Sequence, residues 1–141
     1  MLRPVASLLR ELGFSSLTRE LPYFYSVVDV FAVGAGGTVA VEMKWTRWQK
    51  AIKQARIYQL FARRVYLSMP DSYARRPPKA LLRDLGIGLI SVQFESLCPV
   101  VGTGVVVVEA ADSPIFKPHH AAMMVEKAER LGRKKCHRVS A

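Results

Sequence analysis

Residues Val27–Trp45, with the sequence VVDVFAVGAGGTVAVEMKW, constrain the fold more than any other segment. Two apolar runs flank a glycine-rich turn, which predicts two antiparallel strands joined as a hairpin. Each run carries charge among its apolar residues: Asp29 on the first, and Glu42 and Lys44 on the second. A charge on a buried strand is costly unless it is paired, hydrogen-bonded or bound to a metal. The hairpin is therefore a candidate active site, because it can bring the three side chains together.

The composition favours one globular domain, residues 1–141, with an anionic partner. Half of the 141 residues are hydrophobic, which is enough to build a core. No apolar run approaches the roughly 20 residues that span a bilayer, and the N-terminal segment has no cleavage site, so a cytoplasmic protein without membrane contact is expected. The net charge of +10 favours nucleic acid, although a basic protein with no such partner is the alternative. Cys98 and Cys136 are isolated and form neither a disulfide framework nor a zinc signature.

The hydrophobic patterns predict an α/β fold whose core has the order αβββαβ, with a mixed central sheet flanked by helices. Helices are predicted over 2–12, 46–63, 79–85 and 119–131, and strands within 14–24 and over 27–33, 38–45, 65–69, 88–94 and 105–108. Pro22 places the first strand at an edge of the sheet. Thr46 and Gln49 predict a capping box at the start of the second helix. Residues 132–141 are predicted to be a flexible tail.

Helix 46–63 adds polar groups next to the hairpin. Gln54 and Tyr58 are four residues apart and share a face. Several basic or aromatic residues are candidate nucleic-acid contacts, on this helix, just before it, or in the loop that follows the next strand: Trp45, Arg47, Lys50, Lys53, Arg75 and Arg76. A solvated basic face and ordinary packing of the tryptophan are the alternatives.

The two carboxylates and the amine suit metal-dependent hydrolysis of phosphodiesters. Carboxylate oxygens bind Mg²⁺ readily, and the bound cation assists attack by water on phosphorus. Lys44 can orient the water or stabilise the charge that develops in the transition state. A simple Glu–Lys pair on an exposed strand face is the alternative. For Glu20, two interpretations are open: a solvated edge residue, or a third carboxylate directed toward the site.

Asp29, the segment Glu42-Met43-Lys44 and the segment 54–58 (QARIY) together resemble the PD-(D/E)xK nuclease superfamily, which has the restriction-endonuclease-like fold. The last segment looks like the QxxxY element of branches that include RecB-type nucleases and Holliday-junction-resolvase-like proteins. The resemblance covers roughly residues 2–70 and agrees with the predicted order of elements. One departure is Val28, which stands where the motif of many members has proline.

This resemblance implies an Mg²⁺- or Mn²⁺-dependent hydrolase, an endodeoxyribonuclease or a resolvase-like enzyme. The implied roles are metal binding by Asp29, Glu42, the Met43 carbonyl and Glu20, catalysis by Asp29, Glu42, Lys44 and Gln54, and support by Tyr58. DNA is the implied partner, and a homodimer is implied as well.

Two further hypotheses come from other classes. The chain could serve as a non-catalytic nucleic-acid-binding module on the same fold, or as an interaction subunit of a phage or mobile-element system. The enzymatic hypothesis makes a geometric prediction. Asp29, Glu42 and Lys44 should converge at one end of the sheet, with Gln54 nearby.

Overall fold

A computed structural model describes the backbone of residues 1–95 and 98–140, and the side chains of these residues except 98–100 and 134–140. Within the described ranges the chain forms four helices: α1 (Leu2–Glu11), α2 (Trp48–Tyr58), α3 (Lys79–Leu85) and α4 (Pro118–Ser140). The same part of the chain forms six strands: β1 (Phe14–Tyr23), β2 (Ser26–Gly34), β3 (Gly37–Met43), β4 (Arg64–Pro70), β5 (Gly88–Glu95) and β6 (Cys98–Val108). The predicted αβββαβ order of the core is confirmed.

The six strands form one mixed sheet in the order β1-β2-β3-β4-β5-β6. The pairs β1–β2, β2–β3 and β5–β6 are antiparallel, whereas β3–β4 and β4–β5 are parallel. Parallel neighbours need a crossover, which α2 and α3 provide. The mixed α/β sheet and the edge position of β1 are as predicted. The other edge strand, β6, is much longer than the predicted strand 105–108.

Each face of the sheet is covered by helices. On one face, side chains of β2, β4 and β5 pack against α2 and α4, with the following core residues: Phe31, Leu67, Leu89, Ala51, Ala55 and Met124. On the opposite face, α1 packs against side chains of β2, β3 and β5, with the following core residues: Val5, Leu9, Val30, Val41 and Ile90. Strand β3 contributes Ala40 to the first face and Val41 to the second, so it is buried on both, and its one acidic residue, Glu42, lies in the interior.

Helix α2 is shorter than predicted at both ends, and the predicted capping box is wrong. Its N-cap residue is Arg47, and no side chain that the structure describes caps the helix. The Lys44 N–H donates to the Ser68 carbonyl at 3.0 Å, so the chain follows β4 beyond the end of β3. Thr46 consequently lies in the connecting turn. At the other end, Phe61 and Ala62 continue the apolar pattern but lie buried in a turn after the helix.

Helix α4 extends from Pro118 to Ser140, beyond the predicted segment 119–131. The backbone of residues 132–140 is thus helical, while the predicted flexibility of the tail stays a prediction. Among the residues that the structure describes, no helix is long and apolar enough to cross a membrane.

Substituting alanine for Gly88 is expected to destabilise the protein by about 1–3 kcal/mol, because the site has no room for a methyl group. A Cβ atom at Gly88 would lie 2.3 Å from Cδ1 of Tyr66 and 2.9 Å from the backbone nitrogen of Ala110. Urea unfolding measures the effect. The matched control is Gly36→Ala, where a Cβ atom meets no atom of the described residues within 4 Å. Equal stability of the two variants would contradict this packing.

Candidate active site

The backbone pairing of β2 with β3 ends at Val30 opposite Val41, and Asp29 and Glu42 are the next residues on the two strands. There the Met43 N–H donates to Oδ2 of Asp29 at 2.8 Å. A carboxylate that accepts a backbone N–H forms a charge-assisted hydrogen bond, which is stronger than a neutral one. Asp29 is half-buried and is therefore held against the backbone of β3.

Glu42 and Lys44 are two residues apart, so their side chains project from the same side of the chain. Lys44 Nζ lies 3.1 Å from Glu42 Oε1. The Glu42 side chain is only 2% exposed, whereas that of Lys44 is 27% exposed. The pair thus has a buried acid at its inner end and an ammonium group that reaches toward solvent. The structure brings Asp29, Glu42 and Lys44 together at one end of the sheet, in agreement with the geometric expectation.

Tyr58 connects α2 to this cluster. Its hydroxyl oxygen lies 2.8 Å from Glu42 Oε2 and 2.9 Å from the Val27 carbonyl oxygen. A hydroxyl carries one proton, and an ionised carboxylate and a carbonyl are both acceptors. The single hydroxyl proton therefore serves two acceptors, the Glu42 carboxylate and the Val27 carbonyl. Tyr58 thus also provides a hydrogen-bond partner for the Val27 carbonyl, which lies beyond the end of the β2–β3 pairing.

The electrostatic surroundings of Glu42 favour its neutral form. Burial raises the pKa of Glu42, the nearby charge of Asp29 raises it further, and the hydrogen bonds from Tyr58 and Lys44 act in the opposite direction. Burial, together with Glu42, raises the pKa of Tyr58 above its ordinary value, so its hydroxyl stays protonated. Two carboxyl groups side by side, one with a raised pKa, form a place where an added cation relieves repulsion.

Gln54 lies four residues before Tyr58 on α2, so the two side chains share a face of the helix. Its Oε1 atom is buried and has no hydrogen-bond partner among the described residues. A buried acceptor without a partner costs about 1–3 kcal/mol. Such an atom is suited to accept a hydrogen bond from water or a ligand, and the role of Gln54 in the site stays a prediction.

Replacing Tyr58 with phenylalanine is expected to destabilise the protein by about 1–3 kcal/mol, because the Val27 carbonyl and Glu42 both lose their hydroxyl partner. The pKa of Glu42 should rise further, since the hydrogen bond from Tyr58 lowers it. Thermal unfolding checks the first effect. Tyr25→Phe is the matched control, because Tyr25 is fully exposed. A Tyr58→Phe variant as stable as this control would show that the hydrogen bonds of the Tyr58 hydroxyl do not contribute to stability.

The remaining predicted metal ligand is Glu20, which lies on β1. Glu20 is exposed, has a φ of +52°, and lies across from Asp29 in the register of β1 and β2. The described residues contain no group of three or more His, Cys, Asp or Glu side chains arranged to hold a metal. The role of Glu20 stays a prediction. Nδ1 of His120 lies 2.8 Å from the Tyr23 hydroxyl, and the side chains of Cys136 and His137 lie outside the described residues.

The predicted nucleic-acid contacts lie on exposed surface. Arg47, Lys50 and Lys53 are exposed at the start of α2, close in sequence to Lys44. Arg75 and Arg76 follow β4, which is parallel to β3, so they leave the sheet at the end where Lys44 lies. Arg76 carries its guanidinium 4.6 Å above the ring of Tyr73.

Two contacts of the site were not predicted from the sequence. The stacking of Trp45 on Phe94 joins the end of β3 to the end of β5. The hydrogen bond from Tyr58 to the Val27 carbonyl joins α2 to β2. Both contacts connect residues that are distant along the chain, and no spacing rule predicts them. A search for aromatic residues at strand ends would have selected Phe94 as a candidate.

Comparisons with known proteins show that the chain is similar in fold to a solved structure. No protein-family model matches the chain, and a comparison with curated proteins found no match. Among solved structures, the chain is similar to a protein of unknown function from Silicibacter pomeroyi, with a TM-score of 0.71 and 19% identity over 98% of this chain and 87% of that chain. At this identity the similarity shows a shared fold and nothing further.

Two structures from Pyrococcus species also match, with lower scores. SfsA from Pyrococcus furiosus in complex with Ca²⁺ has a TM-score of 0.42 and 16% identity, covering 80% of this chain and 60% of that one. A repair endonuclease from Pyrococcus abyssi has a TM-score of 0.44 and 24% identity, covering 70% of this chain and 47% of that one. The chain thus spans 60% and 47% of these two longer proteins.

Proposed function

We propose that this chain is a metal-dependent nuclease of the PD-(D/E)xK superfamily, which hydrolyses phosphodiester bonds of nucleic acid, with DNA as the expected substrate. The observation that carries the proposal is the convergence of Asp29, Glu42 and Lys44 where the pairing of β2 with β3 ends. The same residues carry the resemblance in sequence. Tyr58 joins them from α2, at the position of the second half of the QxxxY element.

The residues present fit a divalent cation such as Mg²⁺ or Mn²⁺. The carboxylates of Asp29 and Glu42 and the carbonyl of Met43 are oxygen donors, which both cations prefer. Gln54 Oε1 is buried without a partner among the described residues, and burial, followed by the nearby charge of Asp29, raises the pKa of Glu42. When bound, the cation supplies positive charge that stabilises the phosphoryl group during displacement.

The protein's own groups then have distinct tasks. Lys44, held by Glu42 at 3.1 Å, places a positive charge at the mouth of the site, where it orients water and stabilises a phosphate. Tyr58 fixes the Glu42 carboxyl, and the Met43 N–H fixes that of Asp29. Gln54 offers an acceptor to water or a donor to phosphate oxygen. Preorganised groups of this kind act without reorganisation cost during the reaction.

The charge distribution supports a nucleic-acid substrate. Between Glu42 and Asp71 the chain carries lysines and arginines and no acidic residue. Arg47, Lys50 and Lys53 are exposed on or beside α2, and none of them has a salt-bridge partner among the described residues. Unpaired cations beside a hydrolytic site attract phosphates and release counterions when they bind. The homodimer implied by the resemblance stays a prediction.

The direct test is incubation of the wild-type protein with plasmid, single-stranded and branched DNA and with RNA, in Mg²⁺, Mn²⁺ or EDTA. Cleavage is expected with metal and none in EDTA. Lys44→Met should reduce the rate by about 10²–10³-fold, the usual cost of removing one group that stabilises the transition state. Lys117→Met removes the same charge at an exposed position after β6 and should retain full activity.

Other outcomes would select the remaining hypotheses. Salt-sensitive binding of nucleic acid with no cleavage under any metal condition would indicate a non-catalytic binding module. Failure to bind nucleic acid at low salt would favour an interaction subunit whose basic surface contacts an acidic protein. Cleavage that survives Lys44→Met at the wild-type rate would remove the proposed site from consideration.

A further inference from the structure

Trp45 and Phe94 form an aromatic platform at the end of the sheet that holds the candidate active site. Their ring centroids are 5.5 Å apart and their planes differ by 18°, so the rings are stacked. Phe94 is half-buried against the core below α1, and this packing fixes its ring. Trp45 directly follows Lys44, so the platform begins one residue from the proposed catalytic lysine.

The Trp45 ring of the platform is open to solvent. Trp45 is 55% exposed, although the second tryptophan, Trp48, is partly buried against the core. Phe94 covers one face of the Trp45 ring, which leaves the other face for a partner. Exposing a large aromatic ring to water is unfavourable, and rigid aromatic rings next to polar surface are typical of binding sites. A partner with flat apolar groups would cover this face.

The segment that follows Trp45 in the chain indicates the charge of that partner. Arg47, Lys50, Lys53 and Arg56 follow Trp45 within one segment that has no acidic residue. All four are exposed, and the described residues provide none of them with a salt bridge. A ligand that matches both features has a polyanionic backbone and unstacked flat rings. Single-stranded nucleic acid has this combination, whereas duplex DNA keeps its ring faces stacked inside the helix.

We infer that Trp45 stacks on an unpaired base of a single-stranded nucleic-acid segment and thereby positions the adjacent phosphate near Asp29, Glu42 and Lys44. This inference rests on the proposed function, and it narrows the substrate to single strands or to duplexes with frayed, branched or damaged positions. Stacking does not depend on base identity, because every base has a π-face. The platform therefore confers a preference for strand state and not for sequence.

The test uses the Trp48→Phe variant, in which Trp45 is the remaining tryptophan of the two in the chain. Its fluorescence is titrated in EDTA with an oligothymidylate of about 12 nucleotides, and in parallel with an abasic strand that has the same number of phosphates. Stacking should quench the fluorescence and make the base-containing strand bind about 5- to 150-fold more tightly. Equal affinity for the two strands, with unchanged fluorescence, would overturn the inference.

Substitutions separate stacking from charge. Trp45→Ala should lose the discrimination between the two strands, and Trp45→Phe should retain most of it. Lys50→Ala should weaken binding of both strands by the same factor and reduce the salt dependence, because it removes only a phosphate contact. An equal loss of affinity for both strands in Trp45→Ala would show that Trp45 has only a structural role.

The two proposals fail in different ways. Base discrimination in EDTA without cleavage in metal would contradict the nuclease proposal and uphold the platform. Metal-dependent cleavage of single-stranded and duplex DNA at equal rates, without base discrimination, would uphold the nuclease and contradict the platform.

Discussion

Glu42→Gln is expected to abolish cleavage and, at neutral pH, to stabilise the metal-free protein. Loss of a metal ligand should reduce the rate by at least about 10²-fold, since removing even a hydrogen-bond partner of a ligand costs 10–100-fold. The gain in stability should be about 0.5–2 kcal/mol, the range of single stabilising substitutions, because functional sites are commonly strained at the expense of stability. Glutamine preserves the size of the side chain and can still accept a hydrogen bond from Tyr58.

The sign of the stability effect follows from proton linkage. Burial and Asp29 raise the pKa of Glu42 in the folded protein above its ordinary value of 4.5. Between the two pKa values the folded state binds more protons than the unfolded state, so the free energy of unfolding falls as pH rises through that window. Glutamine does not titrate. The advantage of Glu42→Gln should therefore be absent below the ordinary pKa of glutamate and fully developed above the raised pKa.

Urea unfolding in EDTA across this pH range measures the difference between variant and wild type. Glu129→Gln, an exposed position on α4, is the matched control and should change neither stability nor cleavage. A Glu42→Gln protein that is less stable than wild type at neutral pH would show that the ionised carboxylate is stabilising, contrary to its burial beside Asp29.

Adding Mg²⁺ or Mn²⁺ is expected to stabilise the wild-type protein, independently of any substrate. A cation at 100 times its dissociation constant adds about 2.7 kcal/mol to the free energy of unfolding when it binds only the folded state. For a chain of this size, that corresponds to an increase in Tm of about 5–10 °C. Asp29→Asn should lose this shift and keep its fold, because the amide oxygen can still accept the Met43 N–H.

A thermal-shift titration provides the measurement, with NaCl at matched ionic strength as the control for screening of the basic surface. The expected pattern is a shift in wild type and in Lys117→Met, and none in Asp29→Asn or Glu42→Gln. An equal shift in all four proteins would place the bound cation elsewhere, and no shift in wild type would contradict the metal site.

The parts of the fold with clear helix-start and helix-stop residues could be predicted from the sequence. The bounds of α3 are those predicted, because Pro78 precedes the helix and Gly86, at a φ of +76°, ends it in the left-handed conformation. The extent of β6 could not be predicted, because Gly102 and Gly104 look like strand breakers. A Cβ atom at Gly102 would lie 2.4 Å from the Gln93 carbonyl oxygen, so this glycine permits close approach of the neighbouring strand.

The candidate site likewise has features that the sequence predicts and features that it does not. The spacing of Glu42 and Lys44, and the hairpin that places Asp29 opposite, follow from the periodicity of strands. The capping box at Thr46 failed because the N–H of Lys44 pairs with the Ser68 carbonyl and delays the start of α2. The hydrogen bond between Asp29 and the Met43 N–H depends on where the β2–β3 pairing stops, and only the folded chain determines that position.

The most direct test of a single metal-dependent site is the cleavage rate of the Asp29→Asn/Glu42→Gln double variant, compared with each single variant under single-turnover conditions in Mn²⁺. Residues that act as one unit have strongly non-additive effects. If both carboxylates serve one cation, the double variant should be no slower than the slower single variant. Losses that multiply, or a single variant that cleaves at the wild-type rate, would contradict a shared catalytic centre at the ends of β2 and β3.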